Sequence, residues 1–290
     1  MTIRQNALKT QARVTTALMA AVTLVAPVSA FAGPADTYYE RAFVVAADAR
    51  CNLFQPHIER ALVAATAQAR GAALRSGAAA TELSEVAYRA QARAGAVSCG
   101  DPELAVVKGR VDGAFAGWSR IARMTFPGDR LHWVANRSGY ASPTWRLQQA
   151  SVVGASPVTF GYAGKGDQGE LTAVVSWWGR PRPTAARLVF RDTAKAPRPW
   201  LAGNNLIPAS AQASLWSSGV SAADPTLLAD GKRAGDAWRF SPAAAEALEK
   251  LDPREAFAIE FHFRDGSVAT VPFEAGDFAA GRAFLAMGSL

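Results

Sequence analysis

The chain has 290 residues, of which 50% are hydrophobic, and its 31 basic and 24 acidic residues give a formal net charge of +7. This length is sufficient for two ordinary domains or one large one. The positive charge is too small to indicate a nucleic-acid-binding protein, so we expect no nucleic-acid partner.

The first 32 residues have the three parts of a secretory signal peptide. A basic segment carries Arg4, Lys9 and Arg13 and no acid, and an apolar run follows over residues 14–26. Residues 30–32 read Ala-Phe-Ala, a typical cleavage site. The apolar run is shorter than the roughly 20 residues of a membrane-spanning helix. The sequence therefore predicts cleavage by the general secretory route and a periplasmic or secreted protein without stable membrane insertion, whose net charge is +4.

Cys51 and Cys99 are the two cysteines of the sequence. In an oxidising compartment an isolated pair of cysteines most simply forms a disulfide. A redox pair would favour Cys-x-x-Cys spacing, which is absent. We expect a structural disulfide between Cys51 and Cys99.

Residues 33–126 are rich in alanine and are patterned as four amphipathic helices. Pro56 is suited to the first turn of the second helix, and Asp101 before Pro102 is typical of the start of the fourth. The apolar stripes comprise Tyr39, Phe43 and Ala46; Ile58, Leu62, Ala65 and Ala69; Leu83, Val86, Ala90 and Val97; and Leu104, Val107, Val111, Phe115 and Trp118. This pattern predicts a disulfide-stapled helical bundle as a first domain.

Residues 127–290 contain more Trp, Phe, Val, Pro and Gly and are patterned as a second, strand-rich domain. Turn-forming residues at 125–129 indicate the boundary. Strands are predicted near residues 130–137, 144–151, 171–178, 187–191, 257–263 and 267–273, and helices over 242–251 and from 277. The strand at 171–178 is apolar on both faces, which is typical of a central strand. The fold class predicted is α+β, a helical bundle followed by a mainly antiparallel β domain with one or two packed helices.

The hairpin near the C-terminus has the clearest local pattern. Phe257, Ile259, Phe261 and Phe263 alternate with polar residues, so they share one face of a strand. Asp265-Gly266 then predicts a two-residue type I′ turn.

A stretch over residues 177–200 combines tryptophans with arginines, which suit aromatic stacking and the binding of anions. We single out Trp178, Arg180, Arg182, Arg198 and Trp200 as candidate binding residues. The alternative is a strand end followed by a proline-stiffened loop whose arginines keep a sheet edge soluble.

Other chemical motifs are weak. Residues 164–169 match G-x-G-x-x-G, but the glycines precede a predicted strand, so we expect a hairpin loop and not a dinucleotide site. His57, His132 and His262 are not spaced as metal ligands. We expect no metal, no cofactor and no catalytic residue.

These observations favour an exported, non-enzymatic binding protein whose partner is an envelope protein or an anionic polymer. One alternative is a hydrolase of envelope sugars or peptides that uses two carboxylates. The sequence does not select such a pair among Asp129, Asp167, Glu170, Asp192, Asp236 and Glu260. A second alternative is a structural or assembly protein that binds its partners through the helical bundle.

Overall fold

The computed structural model describes residues 33–179, 181–202 and 205–290. The predicted signal peptide lies outside the described residues. Within them, six α-helices and two antiparallel sheets form an α+β architecture, as the sequence predicts. No helix in this part of the chain has the length and apolar character needed to cross a bilayer.

The four predicted N-terminal helices are present, and two shorter helices follow in the strand-rich part. The helices are α1 (Pro34–Cys51), α2 (Pro56–Arg75), α3 (Ala80–Ala96), α4 (Pro102–Trp118), α5 (Pro242–Glu249) and α6 (Phe278–Leu285). The Asp101 carboxylate accepts a hydrogen bond from the Glu103 N–H at 2.8 Å, which confirms the predicted cap of α4. Pro56 begins α2, where its missing N–H costs no helical hydrogen bond.

Two of the helical faces show how packing changes a predicted stripe. On α2, all four predicted residues from Ile58 to Ala69 are buried. On α1, Tyr38, Val44 and Ala47 are buried, whereas the predicted Tyr39, Phe43 and Ala46 are half-buried. The difference arises because α1 contacts both α2 and α3, so a wide arc of its surface is covered.

The predicted disulfide is confirmed. Cys51, the last residue of α1, is bonded to Cys99 in the turn before α4, with a Cα–Cα distance of 5.5 Å. Two helices, α2 and α3, lie within the 48-residue loop that the bond closes. A bond across such a loop stabilises the folded chain chiefly by restricting the unfolded one.

Two antiparallel sheets make up most of the strand-rich part. The larger has the order β1-β2-β3-β4-β5-β9-β8 and the smaller has the order β11-β10-β6-β7. The strands are β1 (Arg123–Pro127), β2 (His132–Asn136), β3 (Thr144–Val153), β4 (Ser156–Gly164), β5 (Glu170–Val175), β6 (Ala185–Arg191), β7 (Gln212–Trp216), β8 (Gly219–Ala222), β9 (Asp236–Phe240), β10 (Ala256–His262) and β11 (Val268–Glu274). The first strand runs through residues 126 and 127, where the sequence places the domain boundary, and the division into two domains stays a prediction.

The main core lies between the two sheets. Phe160 of β4 contacts Phe240 of β9 and Phe257 of β10, with ring centroids 5.9 and 5.6 Å apart. Phe278 and Phe284 of α6 join the same cluster. The alternating aromatic residues predicted for β10 therefore face a shared core, and β5 is central and covered, as its sequence predicts.

The β10–β11 hairpin is confirmed, but the predicted type I′ turn is wrong. Such a turn requires a positive φ at both central residues, and Asp265 does not have one. Instead, the Gly266 N–H donates to the Phe263 carbonyl, and Gly266 itself has φ +80°. The connection is a type I turn followed by a glycine bulge, because only the glycine adopts the left-handed conformation.

Candidate functional site

Two adjoining cavities form a groove beside the larger sheet and α6. Their volumes are about 180 and 560 Å³, and both are lined by Tyr162, Gly169 and Arg282. Arg146 lines the smaller cavity and Arg239 the larger. We call this surface, defined by Arg146, Tyr162, Arg239 and Arg282, the arginine groove.

Arg146 reaches the groove from an irregularity in β3. Its neighbours Trp145 and Leu147 pair with Ala163 and Tyr162 of β4, and Arg146 is the extra residue between them. A β-bulge re-aims the side chain of the extra residue and often occurs next to functional sites. Here the bulged Arg146 is buried and lines the smaller cavity.

A second buried arginine, Arg137, interacts electrostatically with Arg146. Arg137 donates to the carbonyls of Ser119, Ile121, Met287 and Gly288, so backbone oxygens surround its guanidinium. Burial lowers the pKa of Arg137, and the charge of Arg146 lowers it further.

Asp167 is the carboxylate nearest to the Arg146 guanidinium among the described ion pairs. The closest nitrogen–oxygen distance is 4.0 Å, and the Asp167 side chain is 67% exposed. Burial also lowers the pKa of Arg146, although Asp167 acts in the opposite direction. Arg146 also donates to the Ser138 carbonyl at 2.6 Å, and among the described ion pairs its one carboxylate partner is the exposed Asp167. Its charge therefore has less compensation than a buried charge ordinarily has.

Asp167 belongs to the loop between β4 and β5. It accepts a hydrogen bond from the Ser289 hydroxyl at 2.7 Å, and this bond is the main reason why its pKa is lowered. The Ser289 hydroxyl in turn accepts a bond from Arg146 at 3.0 Å. Arg146, Ser289 and Asp167 therefore form one hydrogen-bonded chain at the smaller cavity.

Tyr162 and Arg282 form the middle of the groove. The Tyr162 ring is stacked on Phe278, with centroids 6.3 Å apart, and the Arg282 guanidinium lies 5.4 Å from the Tyr162 centroid. Arg282 also pairs with Glu249 at 2.9 Å. Burial raises the pKa of Tyr162, so its hydroxyl stays neutral and can donate a hydrogen bond to a ligand.

Arg239 marks the other end of the groove. It donates to the Ser221 hydroxyl at 2.9 Å and approaches Glu170 at 3.9 Å. Both side chains of this ion pair are well exposed, so water screens their attraction. Arg239 is therefore free to exchange Glu170 for another anion at little cost.

The sequence-predicted residues near Trp178 lie away from the groove. Trp178 is 68% exposed, donates its N–H to the Ser156 hydroxyl, and has the Lys232 ammonium 5.4 Å from its ring. Arg182 pairs with Asp236 at 3.0 Å. The candidate Arg180 lies outside the described residues.

The other two candidates occupy a different place. The Trp200 N–H donates to Glu255 at 3.1 Å, before β10 begins, and Arg198 is an exposed neighbour of Trp200. Trp177, beside Trp178, instead contacts Phe263 just after β10 ends. A strand of seven residues spans about 20 Å. The structure therefore places the two tryptophan groups at opposite ends of β10.

The glycine-rich segment 164–169 is a hairpin loop between β4 and β5, as predicted, and it borders the arginine groove. Among the described residues, no group of three or more His, Cys, Asp or Glu side chains is arranged to hold a metal ion.

Sequence analysis missed the arginine groove because its residues are far apart in the chain. Arg146, Arg239 and Arg282 come from β3, β9 and α6. One signal was available, since Arg146 lies within the predicted strand at 144–151 beside apolar residues. Comparison with known proteins gave no match to a family model, a curated protein or a solved structure.

Proposed function

We propose that this chain is an exported, non-enzymatic protein that binds an anionic component of the cell envelope in the arginine groove. The observation that carries the proposal is the buried Arg146 guanidinium at the smaller cavity, whose one carboxylate partner among the described ion pairs is the exposed Asp167, 4.0 Å away. A bound anion would supply the missing negative charge. Guanidinium groups suit this task because their planar donors match the oxygens of carboxylates and phosphates.

Two further side chains support binding along the groove. Arg282 and Arg239 extend the positive charge from the smaller cavity into the larger one, and Tyr162 contributes a neutral hydroxyl between them. The larger cavity has room for several non-hydrogen atoms beyond the charged group, which is typical of small-molecule sites.

The groove favours binding over hydrolysis. A glycosidase of the two-carboxylate type needs one carboxylic acid whose pKa is raised, so that it can protonate the leaving group. Asp167 has the opposite perturbation, because its hydrogen bond from Ser289 lowers its pKa. The carboxylate-based hydrolase therefore remains the weaker alternative.

Export is part of the proposal. The N-terminal pattern of residues 1–32 supports it, and so does the disulfide, since such bonds persist in oxidising compartments and are rare in the cytosol. The basic-aromatic residues would add contacts to a large partner at two separate places, with Trp178 and Arg182 at one end of β10 and Arg198 and Trp200 at the other.

The test is a binding titration of the purified protein with a short oligogalacturonate, a neutral oligosaccharide of equal length serving as the control ligand. We expect binding of the anionic probe that weakens about tenfold or more in Arg282→Gln and in Arg239→Gln, because each loses a charge-assisted hydrogen bond worth about 1.5–3 kcal/mol. Isothermal titration calorimetry gives the affinities.

Arg130→Gln is the matched control, since Arg130 is an exposed arginine outside the groove. It should bind as the unaltered protein does. Equal loss of binding in all three variants would show a diffuse effect of net charge and would contradict a site in the groove.

A second candidate function, an assembly protein acting through the predicted helical bundle, is favoured by one observation on α4. Leu104 is the buried residue of that helix, whereas Val106 is 54% exposed. Ala105, Gly109 and Gly113 are exposed as well. These exposed small and apolar residues make the surface of α4 a candidate for contact with another helix.

For that candidate, the occupant would be α4 of a second copy of the chain. Val106→Glu should then shift a concentration-dependent dimer toward monomer in sedimentation velocity. Ser84→Glu, which adds the same charge to an exposed position of α3, should leave the dimer intact. A monomer at all concentrations in the unaltered protein would eliminate self-assembly.

A further inference from the structure

The loop between β4 and β5 carries a negative charge into the site that we propose for an anion. Asp167 lies in this loop and lines the smaller cavity together with Arg146 and Arg282. Its carboxylate already makes the contacts that a ligand carboxylate would make, 2.7 Å from the Ser289 hydroxyl and 4.0 Å from the Arg146 guanidinium.

Two features of Asp167 favour displacement of its carboxylate. The Asp167 side chain is mostly exposed, so its carboxylate is readily hydrated when it moves outward. The contact with Arg146 at 4.0 Å is long for a charge-assisted hydrogen bond, which is normally 2.7–2.9 Å.

We propose that Asp167 is an internal substitute for the carboxylate of the ligand, and that ligand binding displaces it from Ser289 and Arg146. This inference rests on the proposed function and deepens it in two respects. It assigns the ligand class, a molecule with a free carboxylate, and it makes the β4–β5 loop an internal competitor that lowers the affinity.

The remainder of the ligand extends from the smaller cavity toward Arg239. Ser218, Ser241 and Glu170 line this larger cavity with Leu171 and Phe240, so it presents hydroxyl groups and a carboxylate beside apolar side chains. An acidic sugar and the carboxyl terminus of a peptide share the required chemistry. The two sources differ in the body of the molecule and can be separated by titration.

The experiment compares the affinities of the unaltered protein, Asp167→Ala and Asp167→Asn. The probes are a galacturonic acid oligomer, a short peptide with a free carboxyl terminus and the C-terminal amide of the same peptide. We expect Asp167→Ala to bind a carboxylate probe about tenfold more tightly than the unaltered protein, because the competing charge is gone. Asp167→Asn should show a smaller gain, since an amide can still accept the Ser289 hydrogen bond.

Both substitutions are at an exposed loop position, so neither should prevent folding. Asp129→Asn, at another exposed carboxylate outside the groove, is the control and should have the affinity of the unaltered protein. The amide probe should bind no variant more tightly than it binds the unaltered protein. Whichever carboxylate probe binds more tightly identifies the source of the ligand.

A second readout follows the Asp167 carboxyl group by NMR during a pH titration. Binding should raise the pKa of Asp167 toward its ordinary value, because the hydrogen bond from Ser289 that lowers this pKa is released.

The outcomes separate the two claims. If the probes bind the unaltered protein and Asp167→Ala with equal affinity, the proposed function stands and the inference on Asp167 is overturned. Weaker binding by Asp167→Ala would make Asp167 a ligand-binding group and would also overturn it. Absence of binding to every variant overturns both the inference and the proposed function.

Discussion

Replacing Glu255 by alanine should lower the free energy of unfolding by about 3–5 kcal/mol, the cost of leaving a buried charge without its partner. Glu255 pairs with Arg191 through two bonds of 2.5 and 2.7 Å, and the two side chains are only 2% and 5% exposed. The same carboxylate accepts the N–H groups of Trp200 and Asp252. One substitution therefore removes four hydrogen bonds and leaves the Arg191 guanidinium buried without its carboxylate partner.

Urea denaturation measures this loss, and a neighbouring ion pair supplies the control. Arg187 of β6 and Glu260 of β10 lie 2.7 Å apart and are more exposed, with 32% and 15% of their side-chain surface accessible. Glu260→Ala should lower the free energy of unfolding by less than Glu255→Ala does, because Arg187 and Glu260 remain partly accessible to water, which screens the pair. A similar loss in both variants would show that burial does not determine the energy of these pairs.

The second large effect concerns Asp277 at the start of α6. Its side chain is 0% exposed and pairs with Arg75 of α2, while its Oδ2 atom has no hydrogen-bond partner among the described residues. Gly71 allows this approach, because a Cβ at that position would overlap the Asp277 carboxylate. Burial raises the pKa of Asp277 from 3.8 to about 6, against the opposing effect of Arg75.

A raised carboxyl pKa means that the folded state binds the proton more tightly than the unfolded state does. The stabilisation by this proton is complete below about pH 4 and is lost as the pH rises through about 6. The total change is about 3 kcal/mol, at 1.36 kcal/mol for each unit of pKa. Three charged groups face Asp277. Arg75 is its ion-pair partner, and Arg70 and Glu249 line the same cavity.

Asp277→Asn tests this expectation by removing the titrating group. The difference in unfolding free energy between Asp277→Asn and the unaltered protein should increase by about 2–2.5 kcal/mol between pH 4 and pH 7, in favour of the variant. Denaturant titrations at several pH values measure it. Asp129→Asn, at an exposed carboxylate, serves as the control. A difference that is constant with pH would contradict a buried, proton-binding Asp277.

Much of the fold was predictable because its signals are local. The cap at Asp101, the proline at position 56 and the alternating aromatic residues of β10 each lie within one element, and each is confirmed. In contrast, five strands were missed: β1, β4, β7, β8 and β9. For β7 and β8 the local signal is weak. Their sequences, Gln-Ala-Ser-Leu-Trp and Gly-Val-Ser-Ala, are short and do not show a clear apolar alternation. They are strands because β6 and β9 pair with them.

The candidate site was not predictable by the same reasoning. The sequence drew attention to residues 177–200 because tryptophans and arginines are adjacent there, yet β6 lies between Trp178 and Trp200 in the chain and holds them apart. The arginine groove has the reverse organisation. Its guanidiniums are distant in sequence and converge through sheet pairing, a bulge in β3 and the packing of α6. Such convergence depends on register and long-range contacts, which local patterns do not contain.

The bond between Cys51 and Cys99 has a consequence for local unfolding. Inside the loop that it closes, α2 contributes Ala61 and Ala64 to the main core, so α2 opens only when that core opens. The disulfide connects the C-terminal end of α1 to the segment that follows α3, and α2 lies between these two helices in the chain. When either of them frays, it remains close to its docking surface and rebinds within the same molecule. Slow hydrogen exchange should therefore extend from α2 into α1 and α3, as one cooperative unit.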